Sequence, residues 1–548
     1  MGVSGYVLQA EAKGLVTFCD APSGLRSRGI MNGSDAILTF SGAKTMTIFP
    51  IVPWLQGFAQ RLPASRQSLS ETGSPTTPAQ FQPLTQARSD LPVWVTTAPF
   101  ALNYHDLLSP LPWASFPERN LTWPHNAVVT PYAAFVAAFL IQIDQGLPTL
   151  SRLRQFLVEH PALVWLCGFP LVADASAPWG FDADASLPTC RHFTRILRQM
   201  ANSLPQWLLS QSVACLQQAM AGSSADFGQT ISLDTKHIIA WVKENNPKTF
   251  VSDRFDKTRQ PAGDADCRLG CKKRHNQTRT AAQPDAVAAH TAHPTPASEG
   301  KPASQTDVGE FYWGYGSGIV VAKVAGGELV LAELTQPFDQ ADVSYFFPLM
   351  AQVEARLGRK PRFGALDAAY DAFYIYEYFL QAGGFAAIPW ADRPEHKKQF
   401  AADGRPLCSA GLAMPRQGTF VQKTHCSIPH ECARYACPLF FPKPTGQLCP
   451  IEHKNSAKKG CLTTLPTSPG ARARHELDRN GAEYKAVYSQ RSACERINAQ
   501  AVELGIERPK LRNGQAIANR NTLIYLLLNL RLLRRLRNHT GQPSSSTR

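Results

Sequence analysis

Apolar residues recur at helical spacing through the first half of this chain and at strand spacing after residue 229. In PYAAFVAAFLIQIDQGLPTLSRLRQFLVEHPALVWLCGFP (131–170) the helical period breaks at Gly146-Leu147-Pro148 and at Pro161, which predicts three short helices. The next helix, LPTCRHFTRILRQM, begins with Thr189 as its N-cap. Arg191, Arg195 and Arg198 fall on one face of it, and Phe193, Ile196, Leu197 and Met200 on the other. A small helical bundle carrying an arginine stripe suits DNA binding, and a solvated charged face is the plainer alternative.

Three strands follow: TISLDTKHIIAWV, FYWGYGSGIVVAKV and GELVLAELTQPF, the last two joined at Gly326-Gly327. DVSYFFPLMAQVEARLG then reads as a helix, RFGALDAAY as a strand, DAFYIYEYFLQAG as a helix ended by glycine, and FAAIPW as a short strand. Three strands followed by helix, strand, helix, strand imply an α/β fold: a mixed sheet with helices packed on it. The glycines of GYGSG (314–318) lack the Lys-Ser/Thr of a phosphate loop and read as a bulge or a tight approach within a strand. YSQRSACERINAQA (488–501) reads as one helix, and the apolar stretch 517–537 as a long buried helix ending in RLLRRLR.

The remaining segments carry little pattern. Residues 1–99 read as a poorly ordered extension, with a Ser/Thr/Pro/Gln-rich linker at 62–92 and a translation start that could fall at Met31 or Met46. Residues 100–225 form the helical region and 226–390 the first part of the sheet domain, with a disordered insert at 253–306. Residues 391–480 are a Cys/Lys/Pro-rich insertion, 481–537 return to the core as helices, and 538–548 are a disordered tail.

Charge narrows the class. The 548 residues carry a formal net charge of +14, with a pI near 9.2, so a polyanionic partner is expected, nucleic acid first. The first twenty residues hold no secretory signal, and the longest apolar runs (131–141 and 523–533) are too short to span a bilayer. Thirteen cysteines in such a chain point to reduced thiols or metal ligands rather than a disulfide framework.

Among the candidate chemical groups, Asp234 and Asp367 each end an apolar run at the edge of an expected strand. A partly desolvated carboxylate must be protonated, paired or bound to a cation. Two on neighbouring strands, with a third acid from a helix, make a hard oxygen site suited to Mg²⁺ or Mn²⁺. Each aspartate alone reads equally as a turn residue. On the helical stripe 488, 491, 495, 498 and 502, Tyr488, Arg491 and Glu495 point the same way, and an exposed Arg491–Glu495 ion pair is the competing reading.

These segments resemble the DDE-type transposases of bacterial insertion sequences, whose catalytic domain has a ribonuclease H-like fold. ISLDTKHI resembles that family's first strand with its first aspartate. In ALDAAYDAFYIYEYF the second aspartate is followed three and four residues on by Tyr370 and Asp371, and YSQRSACERINAQ resembles the Y-x2-R-x3-E signature. The resemblance covers roughly residues 100–537. It implies a triad of Asp234, Asp367 and Glu495 holding Mg²⁺ or Mn²⁺, two ions in number, with Tyr488 and Arg491 on DNA phosphates. It implies, too, that the helical segment 131–200 binds DNA and that a dimer or larger assembly pairs the element's terminal inverted repeats with target DNA in a bacterial cytoplasm, at the nucleoid. The reaction expected is metal-dependent strand cleavage and strand transfer. A repressor derived from a transposase, or a ribonuclease H-like nuclease or resolvase, are the alternatives. The sequence departs from the pattern at Val502, where the family shows a lysine. Asp371 is expected to cap the following helix.

Cysteine density invites a structural Zn²⁺, with Cys426, Cys432, Cys437 and Cys449 as its ligands, although no C-x2-C pair occurs and simple reduced thiols are the commoner state. CRLGCKKRH (267–275) is similarly ambiguous. Its Lys272, Lys273 and Arg274 suit phosphate.

Overall fold

The computed structural model describes residues 83–119, 130–221, 226–272, 310–390, 399–424, 429–451, 455 and 458–539, and five backbone strands between residues 7 and 47. Most of the 62–92 linker, the insert beyond residue 272, Lys273, Arg274, Cys426 and the tail from residue 540 lie outside the described residues. The chain divides into two units, one of Met1–Pro78 with Val421–His430 and one of Ala79–Phe420 with Glu431–Arg548.

In the first unit, β1 (Val7–Ala10), β2 (Leu15–Cys19), β3 (Arg26–Asn32), β4 (Asp35–Leu38) and β5 (Met46–Thr47) pair in sequence as an antiparallel meander. The sequence reading expected no order there. Runs this short carry too few alternations to register as a period.

In the second unit, described from residue 83, order begins before the residue near 100 where periodicity first places it. Leu84, Leu91 and Val95 are already buried in its core. The three expected helices are Tyr132–Asp144, Leu150–Val158 and Pro161–Cys167, and the arginine-bearing one is Cys190–Gln199. The first is buried on every side from Ala133 to Ile143, and both oxygens of the Glu118 carboxylate receive its leading N–H groups, from Tyr132 at 2.8 Å and Ala133 at 2.9 Å. Thr149 and Thr189 cap the next helices through their side chains. Arg191, Arg195 and Arg198 are exposed, and Phe193, Ile196, Leu197 and Met200 are buried, as their spacing requires.

The sheet contains β6 (Thr230–Ile239), β7 (Arg268–Lys272), β8 (Glu310–Val324), β9 (Gly327–Pro337), β10 (Phe363–Ala365) and β11 (Phe385–Ala387). Its order is β9-β8-β6-β10-β11, and β7 pairs with the leading end of β8 across that strand from β6. The first three strands are mutually antiparallel, while β6, β10 and β11 run parallel. Helices Phe346–Leu357 and Phe373–Gln381 make the parallel connections and share one hydrophobic cluster with Leu233, Val320 and Ala322. The other face packs on helix Ser492–Glu503 and on Gly514–His539, through Ile319, Val321, Cys494 and Ile497. The fold is thus the mixed, helix-flanked α/β sheet anticipated from periodicity. The glycines of GYGSG are tight approaches: a side chain at Gly316 would lie 2.5 Å from the Tyr345 hydroxyl. The bulge falls instead between Val320 and Val321.

The long C-terminal helix closes the exposed edge of β9. Asn529 accepts from the Val330 N–H and donates to its C=O, each at 2.9 Å, so one side chain substitutes for a neighbouring strand. Deep beside it, Glu333 receives bonds from Gln206, Ser317, Thr335 and Thr522. Burial raises its pKa.

Three expectations need correction. Tyr488–Ala501 is not one helix. Helix Ala482–Tyr488 meets Ser492–Glu503 through the 3-10 turn Ser489–Arg491. The insertion ends before residue 469, because helix Pro469–Glu476 packs on Phe373–Gln381 so closely that a side chain at Gly470 would strike the Phe373 carbonyl. Nor does Asp371 cap a helix. It receives Arg474 Nε at 2.6 Å, a second bond from Arg474 Nη2 and the Tyr376 hydroxyl at 3.0 Å. Helix Phe373–Gln381 starts with no side-chain cap.

Candidate active site

Parallel pairing of β6 with β10 sets Ala365 beside Ser232. Two residues beyond that pair come Asp234, within β6, and Asp367, just past the end of β10, close enough for the charge of one to act on the other. Each is locally fixed. Asp234 Oδ1 accepts from Thr235 N at 2.9 Å, and Asp367 Oδ1 caps a 3-10 turn by accepting from Ala369 N at 2.9 Å. Burial, with the Asp367 charge adding to it, pushes the Asp234 pKa up to about 6. The pair therefore holds negative charge at a cost that a cation would relieve.

A third carboxylate joins them that the sequence reading did not single out. Asp342 opens the turn before helix Phe346–Leu357, and burial and the nearby Asp367 raise its pKa. Thr235 lies near the Asp342 carboxylate and shares a 3.1 Å hydrogen bond with the Tyr370 hydroxyl. Tyr370, fully buried, thus ties the second-aspartate turn to β6. Its place in the motif is positional.

Across these acids lies helix Ser492–Glu503, seated by buried Ala493, Cys494, Ile497 and Ala501. Asn498 donates Nδ2 to Asp234 Oδ2 at 3.0 Å. Its Oδ1 is buried without a hydrogen-bond partner. Asn498 lay on the stripe legible in the sequence, but an amide among acids and arginines gave no chemical signal there.

Arg491 separates the expected triad. Its guanidinium loses from burial and gains from Asp234, Glu495, Tyr488 and Asp367, which together raise its pKa. Nη1 holds Glu495 Oε1 at 2.6 Å, while Nε is buried and unpaired. Glu495 is 55% exposed in that pair, so the ion-pair geometry is what this arrangement adopts. Among the described residues, no three His, Cys, Asp or Glu side chains lie in a metal-binding group. The donor set still fits a hard cation. Asp234, Asp367 and Asp342 would supply carboxylate oxygens and the unsatisfied Asn498 Oδ1 a neutral one, and Glu495 would join only by leaving Arg491. Tyr488 stacks on Tyr484 at 5.6 Å, and Val502 is exposed where the resemblance expects lysine.

The other expected residues lie elsewhere. Lys272 ends β7. Cys432 and Cys437 are buried, and Cys449 is half-buried. Cys267 points its thiol to the Asp264 carbonyl, while Cys271 is exposed. In RLLRRLR, Arg531 is committed to Asp144 at 2.6 Å. No helix among the described residues is long and apolar enough to cross a membrane.

No protein-family profile, curated protein or solved structure matches this chain.

Proposed function

We propose that this chain is a DDE-type transposase with a ribonuclease H-like catalytic domain. It would bind the terminal inverted repeats of a bacterial mobile element, cleave a DNA strand there and transfer the freed 3′-hydroxyl to target DNA. The observation that carries the reading is that Asp234 and Asp367, from β6 and the end of its parallel neighbour β10, act on one another beside a helix bearing Arg491, Glu495 and Asn498. The order of three antiparallel strands, then helix, strand, helix, strand, supports it as well.

Asp234 and Asp367, with Asp342 and Asn498 beside them and Glu495 once released, would hold Mg²⁺ or Mn²⁺. When bound, a pair of such ions activates the attacking oxygen and stabilises the leaving one. The chain's own part is positional. Asn498 fixes the orientation of Asp234, and Thr235 with Tyr370 fixes the turn that presents Asp367. Arg491, with an unpaired buried Nε–H, offers its fork to a scissile-strand phosphate, and Glu495 is freed as it does so. The exposed Arg191, Arg195 and Arg198 supply backbone contacts away from the cut. Joining two DNA ends requires two copies of the chain or more, acting at the nucleoid.

The test is cleavage and strand transfer on DNA carrying the element's ends, with Mg²⁺ or Mn²⁺, by wild type, Asp234→Asn and Glu495→Gln. Both variants should lose activity by about a thousandfold while keeping DNA binding. Undiminished cutting by Glu495→Gln removes that residue from the set. Binding without cutting by wild type supports the repressor reading. Equal cutting of branched DNA lacking the ends supports a resolvase.

A further inference from the structure

The chain leaves β6 at Ile239 and turns at once through Ala240, Trp241, Val242 and Lys243. The connector between helices Ser492–Glu503 and Gly514–His539 passes beside that turn, carrying Arg508, Pro509 and Arg512. Between the two runs lies a cavity of about 320 Å³, open to solvent. Small-ligand sites occupy roughly 300–1,000 Å³, so this one has room for a single small molecule or residue. Its floor is apolar, from the buried Ala240, Val242 and Pro509. Its rim carries three cations, Lys243, Arg508 and Arg512, and among the described residues no acid.

The walls are fixed from both sides. Ile239 N donates to the Glu507 carbonyl at 2.9 Å, which fastens the connector to the end of β6. Asn245 donates Nδ2 to the Ala240 and Trp313 carbonyls, at 2.8 and 2.7 Å, and accepts from Trp313 N at 2.9 Å, so its side chain is committed to shaping the turn. Arg512 Nε donates to the Trp241 carbonyl at 3.3 Å, and its guanidinium lies 4.8 Å from the centre of the indole ring. That contact orients the indole without covering it: Trp241 is 51% exposed. Lys243 and Arg508 are exposed too, and among the described residues neither side chain makes a hydrogen bond or an ion pair. Glu507, beside Arg508 in sequence, is held instead by Lys236 at 3.3 Å, and Glu244, beside Lys243, is buried. The cavity therefore presents an oriented aromatic surface next to cations that no acid neutralises.

We propose that this cavity binds one nucleotide, its base laid on Trp241 and its phosphate between Lys243 and Arg508. The lining selects that class. A planar base gains from stacking on an indole, whichever base it is. A phosphate gains from unpaired cations, and the planar fork of arginine suits it. A simple anion would make no use of the aromatic surface, and an apolar ligand none of the cations. Two sources carry the same chemistry: an unpaired residue within a DNA strand, and a free mononucleotide. The position in the fold favours the strand. Ile239 lies five residues beyond Asp234 on β6, roughly 17 Å along it and a span of a few nucleotides. Lys236, on the same side of β6 as Asp234, stands between them. The choice of source rests on the reading of Asp234 and Asp367 as the cleavage site, and nucleotide binding itself does not.

The experiment uses the full chain without divalent metal, so that no cleavage is involved. Fluorescence anisotropy follows a labelled single-stranded oligonucleotide and its duplex, with deoxyadenosine monophosphate and inorganic phosphate as competitors. Trp241→Ala should weaken single-strand binding by roughly tenfold or more and duplex binding far less, while Trp241→Phe restores most of the loss. Arg508→Gln should flatten the slope of log affinity for the single strand against log salt by about 0.7. Competition by the mononucleotide but not by phosphate supports the site and extends it to free nucleotide. A Trp241-dependent single-strand affinity that the mononucleotide does not reduce supports it for nucleotides within a strand. Unchanged single-strand affinity in Trp241→Ala, an equal loss on duplex, or phosphate competing as well as the mononucleotide would overturn it. Circular dichroism checks folding, and if Trp241→Ala does not fold, the salt slope of Arg508→Gln decides, an unchanged slope overturning the site. Failure of the wild type to cut DNA would remove the transposase reading and leave this result standing.

Discussion

Asn498 and Asp234 are joined by a 3.0 Å hydrogen bond from amide nitrogen to carboxylate, across an interface between helix Ser492–Glu503 and strand β6. Through that bond the helix sets the orientation of the acid, and the amide oxygen left over is buried and unpaired. The same helix carries Glu495, whose partner in this arrangement is Arg491.

Asn498→Leu should therefore lower metal-dependent DNA cleavage by about ten- to a hundredfold, while leaving the fold and DNA affinity intact. Asn498→Asp should shift the divalent-ion concentration for half-maximal cleavage downward, because it adds a charge to the set. Cleavage titrated against Mg²⁺, with circular dichroism as the folding control, measures both. Unchanged cleavage in Asn498→Leu would show the amide to be a packing residue.

Arg491→Lys keeps the charge but loses the fork and the buried Nε–H. It should reduce cleavage more than binding. Arg491→Ala should flatten the slope of log affinity against log salt by about one unit. Replacing Arg191, Arg195 and Arg198 together should flatten it by about three, without altering the divalent-ion requirement. Fluorescence anisotropy over a salt series separates the two roles.

Asp371 and Arg474 form a pair whose side chains are 2% and 14% exposed. Burial opposes the Asp371 charge, but the Arg474 bonds prevail and hold its pKa below the ordinary carboxylate value. A depressed folded pKa contributes stability that is fully present above the unfolded value, near 4, and lost as pH falls through the lower folded value. Asp371→Ala should cost about 3 kcal/mol near neutral pH, since it strands the buried guanidinium. The gap between wild type and variant should shrink as pH drops from about 5 toward 3. Urea unfolding at several pH values checks the sign.

Glu333 accepts from Gln206, Ser317, Thr335 and Thr522, which come from the helical region, the sheet and the C-terminal helix. Glu333→Ala leaves these donors buried without an acceptor and should destabilise the domain by about 3 kcal/mol. Asn529→Leu should cost about 2 kcal/mol and also expose the β9 edge to association. Chemical denaturation and light scattering read the two effects.

Periodicity alone located the helices between residues 131 and 200, the strands β6, β8, β9, β10 and β11, and the buried C-terminal helix, because a residue's burial is dictated by which face of a regular element it occupies. Thr189 could be read as a cap, and Arg191, Arg195 and Arg198 as a solvent face, since both depend on local spacing. Asp234 and Asp367 were visible as acids ending apolar runs. That their strands are parallel neighbours was not, because strand order and register arise from long-range pairing.

The tertiary structure alone decided the partners. It put Asp342 beside the two aspartates and gave Asp371 to Arg474 from beyond the insertion. Spacing along the chain fixes which way a side chain points from its own element. What it meets there depends on residues distant in the chain, brought close only when sheet and helices pack.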